Sequence, residues 1–406
     1  MCFVTVPHPL GMISKEEVNA KVDAAFDDIV KAATAWTPSK EKQDAQVKPY
    51  PAKRFKFSGT YADVNDMFQK RKWSLSLPIV PPTVDKVAAM LKGTKRNPAE
   101  VLWVVPPRQG MLTVELVAAL GVMAGAKPEH MPLLIATVEA MADPVAAWRG
   151  PTTTTAATVP VFFISGPIIE KLKLNPGTGT AGGENPVTNA LGYFVNLVGD
   201  VVGGSVPPNF DKSTHGSSAD LVAMVFTENA KENPWKTTYA EEAGFKPGDS
   251  IVTHFSAYLG NANIDHDSKT GQRLLTTLST GLLGSASGLA SCLADYDATY
   301  AINNKVSFAF IVLCPEHAAP IAKDFPAQRA ARDFMRETAA MPYKFYSQET
   351  CVPGKDFGPY DENTFIPRFK KTESIKFFVS GGPGKQSQIW VPFPQVFKPV
   401  SKKIAE

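Results

Sequence analysis

Of 406 residues, only four are cysteine and six histidine. Cys2, Cys292, Cys314 and Cys351 stand far apart, with no C-x-x-C and no zinc-type spacing. That excludes a dithiol redox motif and leaves too few thiols for the disulfide framework of a secreted chain. Nowhere do about 18 apolar residues follow one another, and the opening MCFVTVPHPLGMISKEE has neither a basic segment nor an apolar stretch of the signal-peptide kind. The expectation is a soluble protein of a reducing, cytoplasmic compartment, without a membrane partner. Excess charge is also missing, because 42 Lys+Arg face 39 Asp+Glu with no long run of either sign. Overall electrostatics therefore favour neither nucleic acid nor an anionic membrane, and an anionic ligand has to be gripped locally.

The 44% of hydrophobic residues suits a sizeable core in two domains or one large one. Ser14 and Glu17 form a capping box, and Val18, Val22, Phe26, Ile29, Val30 and Ala33 follow at helical spacing, which predicts a helix from about Lys15 to Ala35. From Thr37 to about Pro82 the chain turns polar and Pro-rich, with Lys and Arg among aromatics. An arm wrapping the core is preferred there to a single-stranded nucleic-acid binder. Val101–Val105, Val159–Ile164, Val306–Leu313 and Ile375–Ser380 are short apolar runs that stop at Pro/Gly-rich or polar loops, and the first three lead on to helical patterns. Such continuous runs imply strands covered on both faces. The expected fold is α/β, with mostly parallel or mixed sheets covered by helices. Its expected parts are an N-terminal helix and arm (1–82) and two α/β domains (83–205 and 206–406), related by the recurring strand-loop-helix.

In such sheets ligands sit outside the carboxyl ends of strands. Pro106–Gly110, Ser165–Pro167, Cys314–His317 and Ser380–Ser387 are therefore the suspect loops, with the first, third and fourth expected to share one pocket. Gly381, Gly382, Gly384, Lys385 and Ser387 could cradle a carboxylate or phosphate, or form a tight hairpin; the Walker letters are absent. Gly177–Gly182 matches GxGxxG but does not follow directly on a strand, so NAD or FAD is not expected. Gly182, Gly183 and Asn185, ahead of Pro186, could instead form a small anion site at a helix start. Arg108 and Arg149 are candidate carboxylate clamps. Glu316, His317 and His266 are candidates for proton transfer, and His254, Asp265 and His266 for a divalent metal. Cys314 could be a thiolate activated by His317, or simply a small core residue. Gly284–Gly288 narrowly misses the nucleophile elbow, and Asp211, Glu228 and Asn229 border apolar runs.

Several blocks together carry a family resemblance: His8-Pro-Leu-Gly-Met before the capped helix, Val104-Val-Pro-Pro-Arg-Gln-Gly, Met123-Ala-Gly-Ala-Lys-Pro-Glu-His-Met-Pro, Cys314-Pro-Glu-His-Ala and Val379-Ser-Gly-Gly-Pro-Gly-Lys-Gln-Ser. In this order they resemble the long component of the UGSC-family (seleno)proteins over most of the chain. The family's Cys- or selenocysteine-Gly-Ser-Cys motif is absent, since Cys292 lies between Ser291 and Leu293. The resemblance implies that a smaller partner subunit carries the redox-active thiol or selenol. The first expectation is thus an enzyme acting on a small anionic metabolite within an oligomer, with thiol-linked chemistry. The alternatives are a metal-dependent lyase or hydrolase and a non-catalytic ligand-binding or scaffold subunit.

Overall fold

A computed structural model describes residues 4, 6–7, 13–35, 50–206, 215–258, 260–284, 308–346, 361–393, 396 and 398–405. Cys2, His8, Asp211, Cys292, Cys351 and the serines of Gly284–Gly288 lie outside these residues. The chain divides into two compact units, Met1–Lys48 and Pro49–Glu406. The first contains α1 (Lys15–Thr34), capped as the sequence predicts, with Ser14 and Glu17 exchanging bonds to each other's backbone N–H.

The second unit holds every other described element. Its helices are α2 (Tyr61–Lys70), α3 (Val84–Leu91), α4 (Val114–Met123), α5 (Met131–Ala142), α6 (Ile168–Lys171), α7 (Pro186–Asn196), α8 (Tyr239–Glu242), α9 (Gly271–Gly284), α10 (Pro315–Asp324) and α11 (Gln328–Thr338). Its strands are β1 (Val101–Val105), β2 (Gly110–Thr113), β3 (Val159–Ser165), β4 (Met224–Thr227), β5 (Ile251–Ala257), β6 (Asn261–Ile264), β7 (Ala309–Leu313), β8 (Ala340–Pro342), β9 (Phe365–Pro367), β10 (Ile375–Val379), β11 (Gln386–Trp390) and β12 (Val400–Lys403). Within residues 50–82 the basic and aromatic side chains engage one another and the core. The Arg71 guanidinium lies over Phe55 and Trp73, and Arg54 and the Ala52 N–H meet the buried Glu115 carboxylate.

Two four-stranded sheets, β12-β5-β3-β4 and β10-β7-β11-β6, carry the fold. Each repeats one pattern: a strand (β3, β7), then its parallel neighbour (β4, β10), then an antiparallel strand on its other side (β5, β11). The first sheet takes strands from both sides of residue 205. Every residue of β3 and β5 is buried, which explains apolar runs without alternation. On one side, Phe162, Ile164 and Val252 pack with residues of α4, α5 and α7. Around the second sheet, Ile311, Leu313, Phe377 and Val379 pack with α9, α10 and α11.

Between the sheets the opposite faces of the strands meet in a phenylalanine cluster. The Phe163 ring lies 4.4 Å from Phe310, 4.8 Å from Phe378, 5.3 Å from Phe226 and 5.8 Å from Phe255. Backbone bonds join the sheets at two places: Asn229 N–H to the Val379 carbonyl (2.9 Å), and Phe393 N–H to the Ser256 carbonyl (2.9 Å). Replacing Phe163 by Ala opens a cavity among four rings, and denaturant unfolding should show a loss of about 3–5 kcal/mol. A loss below about 1 kcal/mol would mean that the cluster is not the centre of the fold.

Candidate active site at the carboxyl ends of the parallel strands

Bonds within and between the sheets align the carboxyl ends of β3, β4, β10 and β7 into one rim. Glu228 N–H bonds the Ile164 carbonyl (2.9 Å), Ser380 N–H bonds the Leu313 carbonyl (3.0 Å), and the Ser380 hydroxyl donates to the Thr227 carbonyl (2.7 Å). The Ser165, Cys314 and Ser380 loops named from the sequence all open on this rim. Pro106–Gly110 does not join them in a strand-end array. It is the turn of an antiparallel β1–β2 hairpin, because Gly110–Thr113 stays extended before α4 begins. There the Arg108 N–H bonds the Gly203 carbonyl (2.8 Å), and the Arg108 side chain lies over Gly204.

At the β7 end, Cys314 is the N-cap of α10, with Pro315 in the first turn. His317, one turn on, points back at the strand end. Its Nδ1 is 2.9 Å from the Ser387 hydroxyl and its Nε2 is 3.1 Å from the Asp265 carbonyl. A carbonyl only accepts, so Nε2 carries a proton and the neutral ring offers a bare Nδ1 to Ser387. Ser387 Oγ also accepts from the Cys314 N–H (3.3 Å) and sits 4.0 Å from Cys314 Sγ. A thiol proton can therefore pass through Ser387 to His317. Burial opposes the thiolate, yet His317 first and then Ser387 bring Cys314 below its ordinary value. Burial likewise opposes the imidazolium, while Cys314 and then the Asp265 carbonyl hold His317 above its own.

The loop after β10 is not a hairpin. Because β7 lies between β10 and β11, residues 380–385 must cross the end of β7, where Cys314 is only 5% exposed. Gly381 and Gly384 have φ of +86° and +141°, and a Cβ on Gly382 would fall 2.2 Å from Thr178 Oγ1. The loop cradles a carboxylate, but it is the chain's own: Glu316 Oε2 accepts from Gly384 N–H (2.6 Å) and Lys385 N–H (3.1 Å). Those bonds, Gly384's first, hold the exposed Glu316 carboxyl below its usual range. The Lys385 ammonium donates to the His266 carbonyl (3.0 Å), which leaves the exposed His266 at the edge of this group through its backbone.

The residues expected to bind metal do not assemble. His254 is fully buried in β5, stacked on Phe162 (4.5 Å), with Nδ1 at the Val161 carbonyl. Burial drives its pKa down to about 3, so it is a neutral core residue. Asp265 follows β6, in the other sheet from His254 on β5. Its carboxylate accepts from Thr277 (2.6 Å) and the Ser268 N–H (2.9 Å); burial opposes ionisation, but these bonds outweigh it and take the pKa to about 2. Among the described residues no three His, Cys, Asp or Glu side chains are grouped to hold a metal ion.

Arg149 lines a cavity of about 590 Å³ with Trp103, Trp148 and Phe393, at the other end of β3 from the rim. Gly182 and Gly183, both at positive φ, precede the buried Asn185 at the start of α7, whose amide has no partner among the described residues. Their loop reaches the rim through Thr180, bonded to Thr227 (2.8 Å).

One residue at the rim carries more than its sequence signal suggested. Glu228 follows β4 and is 2% exposed, with Oε2 accepting from the Ser165 hydroxyl and Oε1 from the Tyr239 N–H (2.7 Å). Burial lifts its pKa to about 7. A carboxylate just past an apolar run was the only sign available in the sequence. No protein-family model matches this chain, and no curated protein matches it closely enough to count as a relative.

The relay sets a pH dependence. Wild-type Cys314 should be alkylated by iodoacetamide with a midpoint below the ordinary thiol value of about 8.5, because the thiolate forms while His317 is still protonated. In His317→Gln the midpoint should rise to about 8.5 or above, and the rate at pH 7 should fall about tenfold. Peptide mapping with mass spectrometry checks both, and an unchanged midpoint excludes the relay.

Proposed function

We propose that this chain is a thiol-dependent enzyme acting on a small anionic metabolite, with Cys314 as nucleophile. The observation that carries the reading is the hydrogen-bond chain from Cys314 through Ser387 to His317, set beside backbone N–H groups that already hold a carboxylate. A nucleophile, a base within reach and a third group orienting the base are what covalent catalysis requires. The anionic end of the substrate displaces Glu316 from Gly384 and Lys385, lifting the loop that crosses β7. Cys314 passes its proton through Ser387 to His317 Nδ1, and the thiolate attacks an electrophilic carbonyl carbon or sulfur. The leaving group then takes the proton back from His317. The resemblance to the long UGSC component supports a smaller thiol- or selenol-bearing chain as the second reactant, in a reducing cytoplasm.

Presenting the purified chain with carboxylate-bearing thioesters and disulfides tests this reading. A burst of about one leaving thiol per chain is expected, lost in Cys314→Ser and slowed at least tenfold in His317→Gln. Glu316→Ala should tighten binding of anionic substrates several-fold by vacating the N–H groups. A burst retained in Cys314→Ser, or a covalent adduct that maps to Cys2, Cys292 or Cys351, overturns it.

A further inference from the structure

A cavity of about 570 Å³ opens at the ends of β3 and β4, on the same rim but against the other sheet. Ile169, Leu174, Pro167 and Pro176 give it apolar walls, and Glu228 forms part of its floor. A carboxyl group this deeply buried ordinarily has a cation beside it. Here the Glu228 oxygens receive only the Ser165 hydroxyl and the Tyr239 N–H, and no Lys or Arg pairs with it among the described residues. Each oxygen keeps a further lone pair.

The other charges around the cavity do not supply the missing cation. Glu170 is joined to Lys231 (3.0 Å) and Asp249 to Lys403 (2.5 Å), while Glu241 caps α8 by accepting from the Thr238 N–H and hydroxyl (both 2.8 Å). Lys173 is the remaining ammonium on the lining, against Glu228 and Glu241.

We propose that this cavity is a second ligand site, which takes a small organic ammonium with a hydrocarbon body, its charge met by Glu228 and its chain laid against the apolar walls. The site is separate from the thiol chemistry at β7. The charge on Glu228 governs it. Burial first, then Glu242 and Glu241 on α8, push the Glu228 pKa up to about 7, against the pull of Ser165 at the end of β3 and the Tyr239 N–H. Glu170 on α6, Lys173 beside it, Lys231 after β4 and Asp249 before β5 are the other charged groups on the cavity lining. Below pH 7 the carboxyl is protonated and offers an ammonium no charge. Above pH 7 it is ionised, while an alkylammonium stays protonated to about pH 10.

Calorimetric titration of the full chain with n-butylammonium, n-butanol and butyrate between pH 5.5 and 9 tests the proposal. Butylammonium should bind most tightly, gaining about tenfold per pH unit up to pH 7 and levelling off above it. Glu228→Gln should lose at least tenfold of that affinity while leaving butanol unchanged, and Cys314→Ser should bind the ammonium as wild type does. The wild-type pH profile stands even if the Gln variant folds poorly. Butyrate binding as tightly as butylammonium, a pH-independent ammonium affinity, or no binding of any of the three at millimolar concentration overturns it.

Discussion

The bonds that cross from one sheet to the other are what the rim depends on. Asn229 gives its N–H to the Val379 carbonyl, and Ser380 spans two strand ends by bonding Leu313 through its backbone and Thr227 through its hydroxyl. Each such bond contributes only about 1 kcal/mol net. Their larger consequence is positional, because they hold four parallel strand ends in one line and the phenylalanine cluster behind them prevents slippage. Without them, Glu228 and Cys314 would stand on two unrelated sheets.

Along that rim, two glutamates show how environment assigns chemistry. Glu316 is exposed, and backbone N–H groups satisfy its carboxylate, so it stays ionised and occupies the place an anionic substrate would take. Glu228 is buried with a hydroxyl and one N–H for company, so its proton is held to about pH 7. Ser165 and Cys314 are a similar pair, each placed where the first strand of the repeated pattern ends. One hydrogen-bonds a carboxyl group, and the other reaches an imidazole through a serine. Repetition of the backbone pattern leaves the side chains free to diverge.

Legibility in the sequence followed locality. The Ser14 box, the helix after Thr113, the strand ending at Ser165 and the helix that follows Cys314 are set by residues within a few positions of one another, and each was readable. Pro106–Gly110 misled because Gly110–Thr113 is too short to separate a second strand from the start of a helix. His254 suggested a ligand because an imidazole in an apolar run looks the same whether it meets a metal or stacks on Phe162. Glu228 carried little signal, since what marks it is burial against partners up to 63 residues away, with no Lys or Arg paired to it among the described residues.

By itself the sequence determined an α/β fold whose strands β3 and β7 are buried on both faces, as uninterrupted apolar runs flanked by helices favour, whereas β1, read in the same way, is a hairpin strand with Val101 and Val104 exposed. It also picked out three of the loops that open on the rim, those at Ser165, Cys314 and Ser380, while Pro106–Gly110 proved to be a hairpin turn. Only the tertiary structure decided which of those loops meet. Strand order is set by packing between distant segments, and it is this order that carries the glycine loop over Cys314, brings Ser387 and Asp265 to His317, and leaves Glu228 at the cavity between the β3 and β4 ends with no Lys or Arg paired to it among the described residues.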